Sequence, residues 1–205
     1  MTFSIIIPAH NAEAYIERAL TSIRGQSFPD YELIVVCDRC SDLTGEVAEQ
    51  YGADKVIHVD HGNDGLTRND GLAAASGDWV LFMDDDDWFL HEFAFREISQ
   101  HLTDDIDVLL FGFVFKHIGV AHPLREGNHI WPAVWNKCYR REYIKDLKFR
   151  NIKYESDLDW TQRLFKMGPN FRTLDEPLYY YNYMRPGSLS VRKEVERGNR
   201  CDKNP

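Results

Sequence analysis

Four consecutive carboxylates, Asp84, Asp85, Asp86 and Asp87, follow directly on an apolar run, Trp79 to Met83. Like charges at that density repel one another unless a cation sits among them. Hard divalent cations take oxygen ligands, and Mg²⁺ in particular is held by one or two carboxylates together with the phosphate oxygens of a substrate. The stretch therefore reads as a metal-diphosphate site at a strand end, with Mn²⁺ or Mg²⁺ as the ion. The competing reading is a solvated acidic turn that caps the next helix, although a cap needs only one Asp. Two further polar clusters close apolar runs: Pro8-Ala9-His10-Asn11 and Asp38-Arg39-Cys40-Ser41-Asp42.

Regular elements must hold these clusters, and the sequence supplies them in alternation. Phe3 to Pro8, Tyr31 to Cys37, Lys55 to Val59 and Trp79 to Met83 are short, apolar and rich in β-branched residues, as strands covered on both faces require. Between them, Glu13 to Gly25 carries Ala14, Tyr15, Ala19, Leu20 and Ile23 at helical spacing. Asp42 to Tyr51 reads as a helix capped by Ser41 or Asp42 and closed by Gly52, and Asp64 to Ser76 as a third. Strands joined by helical crossovers predict a mostly parallel sheet with helices on both faces, whose ligands gather outside the carboxyl ends of the strands. All three polar clusters fall at such ends. Neither a Walker-type phosphate loop nor a Gly-rich dinucleotide fingerprint is present, so P-loop and nicotinamide chemistry do not fit.

At 205 residues and 43% hydrophobic, the chain is long and apolar enough for one sizeable domain. A formal charge of −9 argues against a nucleic-acid-binding surface, which needs a basic stripe. The N-terminal apolar run is too short for a signal peptide, and no stretch has spanning length, so a cytoplasmic protein is expected, with peripheral attachment to the inner face of a membrane left open. Four cysteines in so long a chain predict free thiols. Cys37, Cys40, His58 and His61 are ligand types, but His58 lies in a predicted strand and the gap between the pairs exceeds that of a zinc finger, so a zinc site is not expected.

Taken together, Ser4-Ile5-Ile6-Ile7-Pro8-Ala9-His10-Asn11, the turn and strand from Gln26 to Val36, Asp38 with Asp42, Thr67-Arg68-Asn69-Asp70-Gly71 and Asp84 to Trp88 resemble family 2 glycosyltransferases of the GT-A fold. So do Val134 to Arg141, Glu155-Ser156-Asp157 with Trp160, Arg163 and Leu164, and Glu176 to Tyr181, in the same order. The resemblance covers about residues 3 to 190. It implies a Rossmann-like α/β fold with a smaller C-terminal acceptor-side region: a nucleotide-sugar half over 1–103, an acceptor and catalytic-base half of the same domain over 104–190, and a charged tail over 191–205.

By the same resemblance Asp38 receives a nucleobase imide N–H, which suits uridine, and His10 stands where relatives often carry a stacking aromatic. Pro8, Asn11, Arg68 and Asp85 belong to the donor side. Asp84 is the first carboxylate of the Asp-x-Asp motif, near ribose and metal, and Asp86 is its metal ligand. Asp85 and Asp87 are supporting groups or helix caps. Asp157 is the general base, with Glu155 and Asp159 as acidic neighbours; on a helix Asp159 turns to another face. The implied activity is inverting, metal-dependent transfer from a UDP-sugar to a saccharide or lipid-linked saccharide hydroxyl, of hexosyl or N-acetylhexosaminyl type, in surface polysaccharide or other glycan assembly.

This chain departs from the family pattern where relatives commonly have an acidic pair followed by Gly-Ser. Here the residues are Cys37-Asp38-Arg39-Cys40. Trp131, Trp135, Tyr139 and Tyr154 suit the apolar faces of sugars, yet such residues are more often core. Arg185-Pro186-Gly187-Ser188 reads as a turn. A non-catalytic nucleotide-sugar or glycan binding module on the same fold is the alternative. An Asp-x-Asp phosphatase is disfavoured because its nucleophilic pair follows the first strand, whereas here the pair follows the fourth.

Overall fold

The computed structural model describes residues 1–125 and 129–183. The segments 185–188 and 191–205, and with them Cys201, lie outside the described residues. The first half runs β1 (Phe3–Ala9), α1 (Ile16–Arg24), β2 (Tyr31–Asp38), α2 (Thr44–Gln50), β3 (Lys55–Val59), α3 (Asp64–Ala74), β4 (Trp79–Phe82), β5 (Trp88–Phe89) and α4 (Ala94–His101). There follow β6 (Val108–Phe115), β7 (Gly119–Ala121), β8 (Leu124–Arg125), β9 (His129–Ile130), β10 (Lys137–Arg140), α5 (Arg141–Ile144), α6 (Ser156–Lys166) and β11 (Phe171–Tyr181). The predicted strands and helices of the first half are all present, with ends shifted by up to three residues.

The main sheet has the order β3-β2-β1-β4-β10-β6-β11-β5, with β7 added beside β6. β3, β2, β1 and β4 are mutually parallel. β10 then enters antiparallel between β4 and β6, so the two halves of the chain share one sheet. Its alternating side chains feed two cores. Ile5, Ile7, Leu33, Val35 and Leu81 join Ile16, Leu20 and Ile23 of α1 and Phe95 and Ile98 of α4 on one face. Ile6, Ile34, Val36, Val80 and Phe82 join Trp160 and Leu164 of α6 on the other. Burial on both faces is why these strands read as unbroken apolar runs.

α3 lies unusually close to the sheet. A Cβ on Gly71 would stand 2.3 Å from Ile6 Cγ2, so only glycine permits this approach. The approach carries Arg68, one turn earlier, deep enough to be 4% exposed. α6 packs its Trp160 ring against Phe149, stacked at 4.9 Å, and this seats the first turn of α6 beside α3.

Two predicted helix starts differ from those observed. α2 has Leu43 at its N-cap without a side-chain cap bond, and Asp42 instead accepts from Thr44 N (3.1 Å) and its hydroxyl (2.5 Å). Asp87 is not a cap either, because α4 begins only at Ala94.

Candidate active site

The carboxyl ends of β1, β2 and β4 meet at His10. Its ring Nδ1 lies 2.6 Å from the Asp38 carbonyl oxygen, and its backbone N–H donates to Asp85 Oδ2 at 3.3 Å. His10 is exposed as a whole. Asn11 has φ +48°, a left-handed conformation that Asn tolerates better than most residues, and its Oδ1 accepts from Ser41 N at 2.8 Å. Asn11 thus ties the β1 loop to the β2 loop. Pro8 remains within β1, opposite Val36 and half-buried.

Asp38, which the family resemblance assigns to the nucleobase, is only 5% exposed, and its carboxylate staples the loop after β3. Oδ1 accepts from His61 N (2.8 Å) and Gly62 N (2.9 Å), and Oδ2 from Asn63 N and Thr67 Oγ1 (both 2.9 Å). A carboxylate offers about four lone-pair positions, so a base N–H would have to displace one of these donors. Burial alone would raise the Asp38 pKa, but the bonds from Gly62, Thr67, Asn63 and His61 outweigh it and hold the group below the ordinary carboxylate value. Stability from this staple is therefore complete above the unfolded pKa and lost as pH falls through the depressed folded one. Asp38→Asn is expected to cost about 1–3 kcal/mol at pH 7, because the amide turns a donor toward other donors. The deficit should narrow near pH 3, as urea denaturation at the two pH values would show; equal stability at pH 7 would exclude the staple.

Arg39, in the place of the family's small turn residue, has φ +55° and pairs with Asp60. The backbone there takes the conformation that favours glycine. His61 Nε2 lies 2.6 Å from Asp70 Oδ2 and Cys40 Sγ 3.5 Å from the Ala9 carbonyl oxygen, while Cys37 and the His58 ring both lie against Gly45. Cys37, Cys40 and Cys138 are free thiols.

The acidic run divides. Asp87 is fully buried and accepts from Tyr179 Oη (2.7 Å) and Asn182 N (2.8 Å), fastening the end of β11 beneath the cluster. Burial and the charges of Asp84 and Asp86 push its pKa well up. Asp84, Asp85 and Asp86 are half-buried at the surface of the site. Asp84 Oδ1 meets Arg68 Nη2 at 2.9 Å. Its pKa is pushed up to about 7, by burial first and then by Asp157, Asp86 and Asp64, against the pull of Arg68.

Arg68 is the hub. Beside Asp84, it pairs through Nη1 with Asp64 Oδ2 at 2.5 Å and Asp157 Oδ1 at 3.4 Å. A residue expected on the donor side alone therefore joins the acidic cluster to the expected base. Asp64 and Asp157 both sit in the first turn of a helix, α3 and α6, where the helix dipole favours an anion. Asp157 has a pKa raised by burial and by Asp64, and lowered by Arg68, a bond from Val134 N–H and the charge of Lys137. Its Oδ1 is buried without a hydrogen-bond partner, as is Arg68 Nε. Asp159 faces elsewhere, bonded to Arg150 Nη1 (3.2 Å) and Arg163 Nε (2.8 Å). Glu155 is exposed and precedes α6 with φ +66°.

The model of glycosyl transferase family 2 matches residues 4–169, which contain every one of these groups except Tyr179 and Asn182. The chain belongs to that family. It is 29% identical over 91% of its length to an uncharacterized glycosyltransferase of Bacillus subtilis, EpsJ, of which it covers 62%. The S. aureus protein TarS, crystallised as residues 1–349 in complex with UDP-GlcNAc, superposes with TM-score 0.82 at 26% identity, over 93% of this chain and 61% of that one. Glucosyl-3-phosphoglycerate synthase from Mycobacterium tuberculosis, crystallised with Mn²⁺, UDP and glucosyl-3-phosphoglycerate, shares the fold with TM-score 0.68 at 21% identity, covering 100% of this chain and 81% of that chain. The fold is GT-A. The chain spans 62%, 31% and 60% of the first three curated relatives it matches.

Within this family site, a hard divalent ion fits Asp86 and the free side of Asp84. Both are carboxylates of one strand end, half-buried, and Asp84 is driven toward protonation by burial and then by neighbouring carboxylates, a repulsion that a cation would offset. The aromatics of the second half are mostly packing. Trp135 stacks on Tyr179 at 5.0 Å, and Tyr139 is fully buried. Trp131 packs edge-on against Phe113, and Tyr154 is half-buried beside Lys153. Sequence reasoning missed Asp64, Tyr179 and Lys137. Asp64 stood four residues before Arg68, a helical ion-pair spacing that signals the contact.

Proposed function

We propose that this chain is the catalytic part of an inverting, metal-dependent glycosyltransferase that moves a hexosyl or N-acetylhexosaminyl group from a UDP-sugar to a hydroxyl of a saccharide or lipid-linked saccharide, in assembling a surface polysaccharide or other glycan. The observation that carries this reading is Arg68, a buried guanidinium shared by Asp84 of the acidic cluster and Asp157 of α6. It sets a donor-side carboxylate and a half-buried carboxylate, whose Oδ1 makes no hydrogen bond, on opposite sides of one cation. The UDP-GlcNAc complex of TarS supports the donor class.

Residues 1–103 form the donor side and 104–190 the acceptor side. His10 offers its ring to the base, and Asp38 keeps the 61–63 loop shaped beside it. Asp86, with Asp84, would hold Mn²⁺ or Mg²⁺, which when bound supplies positive charge to a leaving diphosphate. Asp157 takes the proton of the acceptor hydroxyl. Its raised pKa makes it a stronger base than a solvated Asp, and Arg68 keeps it ionised. A base acting on the acceptor alone gives one displacement, hence inversion. Among the described residues no helix is long and apolar enough to cross a membrane.

The decisive test is Asp86→Ala. Mn²⁺-dependent UDP binding, followed by calorimetry, should weaken by at least about tenfold while the circular dichroism spectrum is unchanged. Undiminished binding would remove Asp86 from the ion.

A further inference from the structure

Tyr179 lies near the end of β11 with no exposed surface, and its ring is wedged on two sides. It stacks on Trp135, with ring centroids 5.0 Å apart and 8° between the planes, and meets Phe89 edge-on at 5.6 Å. Trp135 is itself held, because side chains grip the segment that carries it. The fully buried Lys137 donates through Nζ to Trp131 O (2.8 Å), Ala133 O (2.5 Å) and Asn136 Oδ1 (2.7 Å). Thr161 Oγ1 donates to Pro132 O at 2.8 Å, and Tyr139 Oη to Val134 O at 2.9 Å. A ring so placed sets its oxygen beneath the end of β4. There Tyr179 Oη donates to Asp87 Oδ2 at 2.7 Å and accepts from Asp84 N–H at 3.2 Å. Asp84 and Asp87 are the two ends of one tight turn, closed by Asp87 N–H on Asp84 O at 3.2 Å, with Asp85 and Asp86 at its tip. One hydroxyl thus spans the turn, giving its only hydrogen to one end and a lone pair to the other.

We propose that Tyr179 is a positioning residue for the cation site: by bridging the turn that presents the Asp84 and Asp86 carboxylates, its hydroxyl fixes their spacing before any ion arrives. Asn182 N–H, the other donor to Asp87 at 2.8 Å, reaches only one end of the turn. Tyr179 reaches both. Groups that orient the ligands of an ion commonly carry about tenfold to a hundredfold of its affinity. Mg²⁺ is especially sensitive to a loosened pair of carboxylates, because it demands near-ideal octahedral geometry, whereas Ca²⁺ accepts a variable and flexible set of oxygens. A brace on the turn is therefore a brace on ion choice. Substitution by phenylalanine keeps the ring on Trp135 and removes the bridge alone.

The inference rests on Asp84 and Asp86 being the ligands of the ion, and its test reads ion binding rather than turnover. UDP binding to the full chain, to Tyr179→Phe and to Asp86→Ala is followed by calorimetry with Mg²⁺, with Ca²⁺ and with neither. In Tyr179→Phe the Mg²⁺-dependent part should weaken by about tenfold, the Ca²⁺-dependent part less, and metal-free binding not at all. A variant that is merely less stable would keep the ratio of the two ions. Equal loss with both ions, or undiminished binding with Mg²⁺, overturns this inference alone when Asp86→Ala has lost its Mg²⁺-dependent binding. Undiminished Mg²⁺-dependent binding in Asp86→Ala sinks the ligand assignment and the inference with it. Should Tyr179→Phe fail to fold because Asp87 has lost a partner, amide exchange of Asp84 N–H in the parent chain decides. Protection comparable to that of the β4 amides in the metal-free chain supports the brace. Exchange as fast as at Asp85 and Asp86 until Mg²⁺ and UDP are added overturns it, since the ion would then be what orders the turn.

Discussion

Asp157→Asn is expected to bind UDP as tightly as the parent chain and to transfer sugar about a hundredfold to ten-thousandfold more slowly, the range for loss of a general base. The amide is isosteric, and Arg68 retains Asp64 and Asp84. What disappears is the charge of a carboxylate whose buried Oδ1 makes no hydrogen bond and only a 3.4 Å ion pair with Arg68. Folding should not suffer. A carboxyl whose folded pKa is raised costs stability above its unfolded pKa, so a neutral isostere is tolerated at pH 7. The neighbours serve as controls. Asp159→Asn removes only pairs with Arg150 and Arg163 on the outer face of α6, and Glu155→Gln alters an exposed residue, so both should keep most of the turnover. Initial rates against acceptor concentration, beside calorimetry with UDP, separate the outcomes. Near-normal turnover in Asp157→Asn with collapse in either control would move the base to that neighbour.

The strands of the first half were legible because a strand buried on both faces cannot hide its composition: Ile5, Ile6 and Ile7 alternate between the two cores, and all three must be apolar. Strand-end polar clusters were legible for the same reason, since any charge after such a run must lie at the sheet edge. The place of β10 was not. Its pairing with β4 and β6 joins residues about sixty and thirty positions apart, and no local pattern encodes a non-local partner. Nor could residue type alone show which carboxylates the fold itself would bind. Asp38 and Asp87 have the same side chain as Asp86, and only the donors folded around them, the 61–63 backbone and Tyr179, make them staples. Lys137 was hidden in the opposite sense. A lysine is expected in water, and its burial follows from carbonyls that turn inward only once Thr161 and Tyr139 have fixed the same segment.

Arg68→Met should be the most damaging single change to the fold among the site residues. Methionine fills much of the same volume, so the effect isolates charge. Asp64, Asp84 and Asp157 would be left around an apolar side chain, in a site where Arg68 is 4% exposed and their own side chains 27%, 30% and 24%. Removing one partner from a buried ionic cluster typically costs about 3–5 kcal/mol, and partial exposure of the three carboxylates puts this case near the lower figure. The sign of the pH dependence follows from the same charges. Without the guanidinium, the pKa values of Asp84 and Asp157, already raised, rise further, so the variant gains stability relative to the parent as these groups take up protons below neutral pH. Arg68→Lys keeps a charge but not the fork that reaches three carboxylates, and should fall between the two. Urea denaturation at pH 7.5 and pH 5.5 gives both numbers for each variant. A loss under about 1 kcal/mol for Arg68→Met at both pH values would mean that the carboxylates do not depend on Arg68, and the link between the acidic cluster and Asp157 would then have no energetic content.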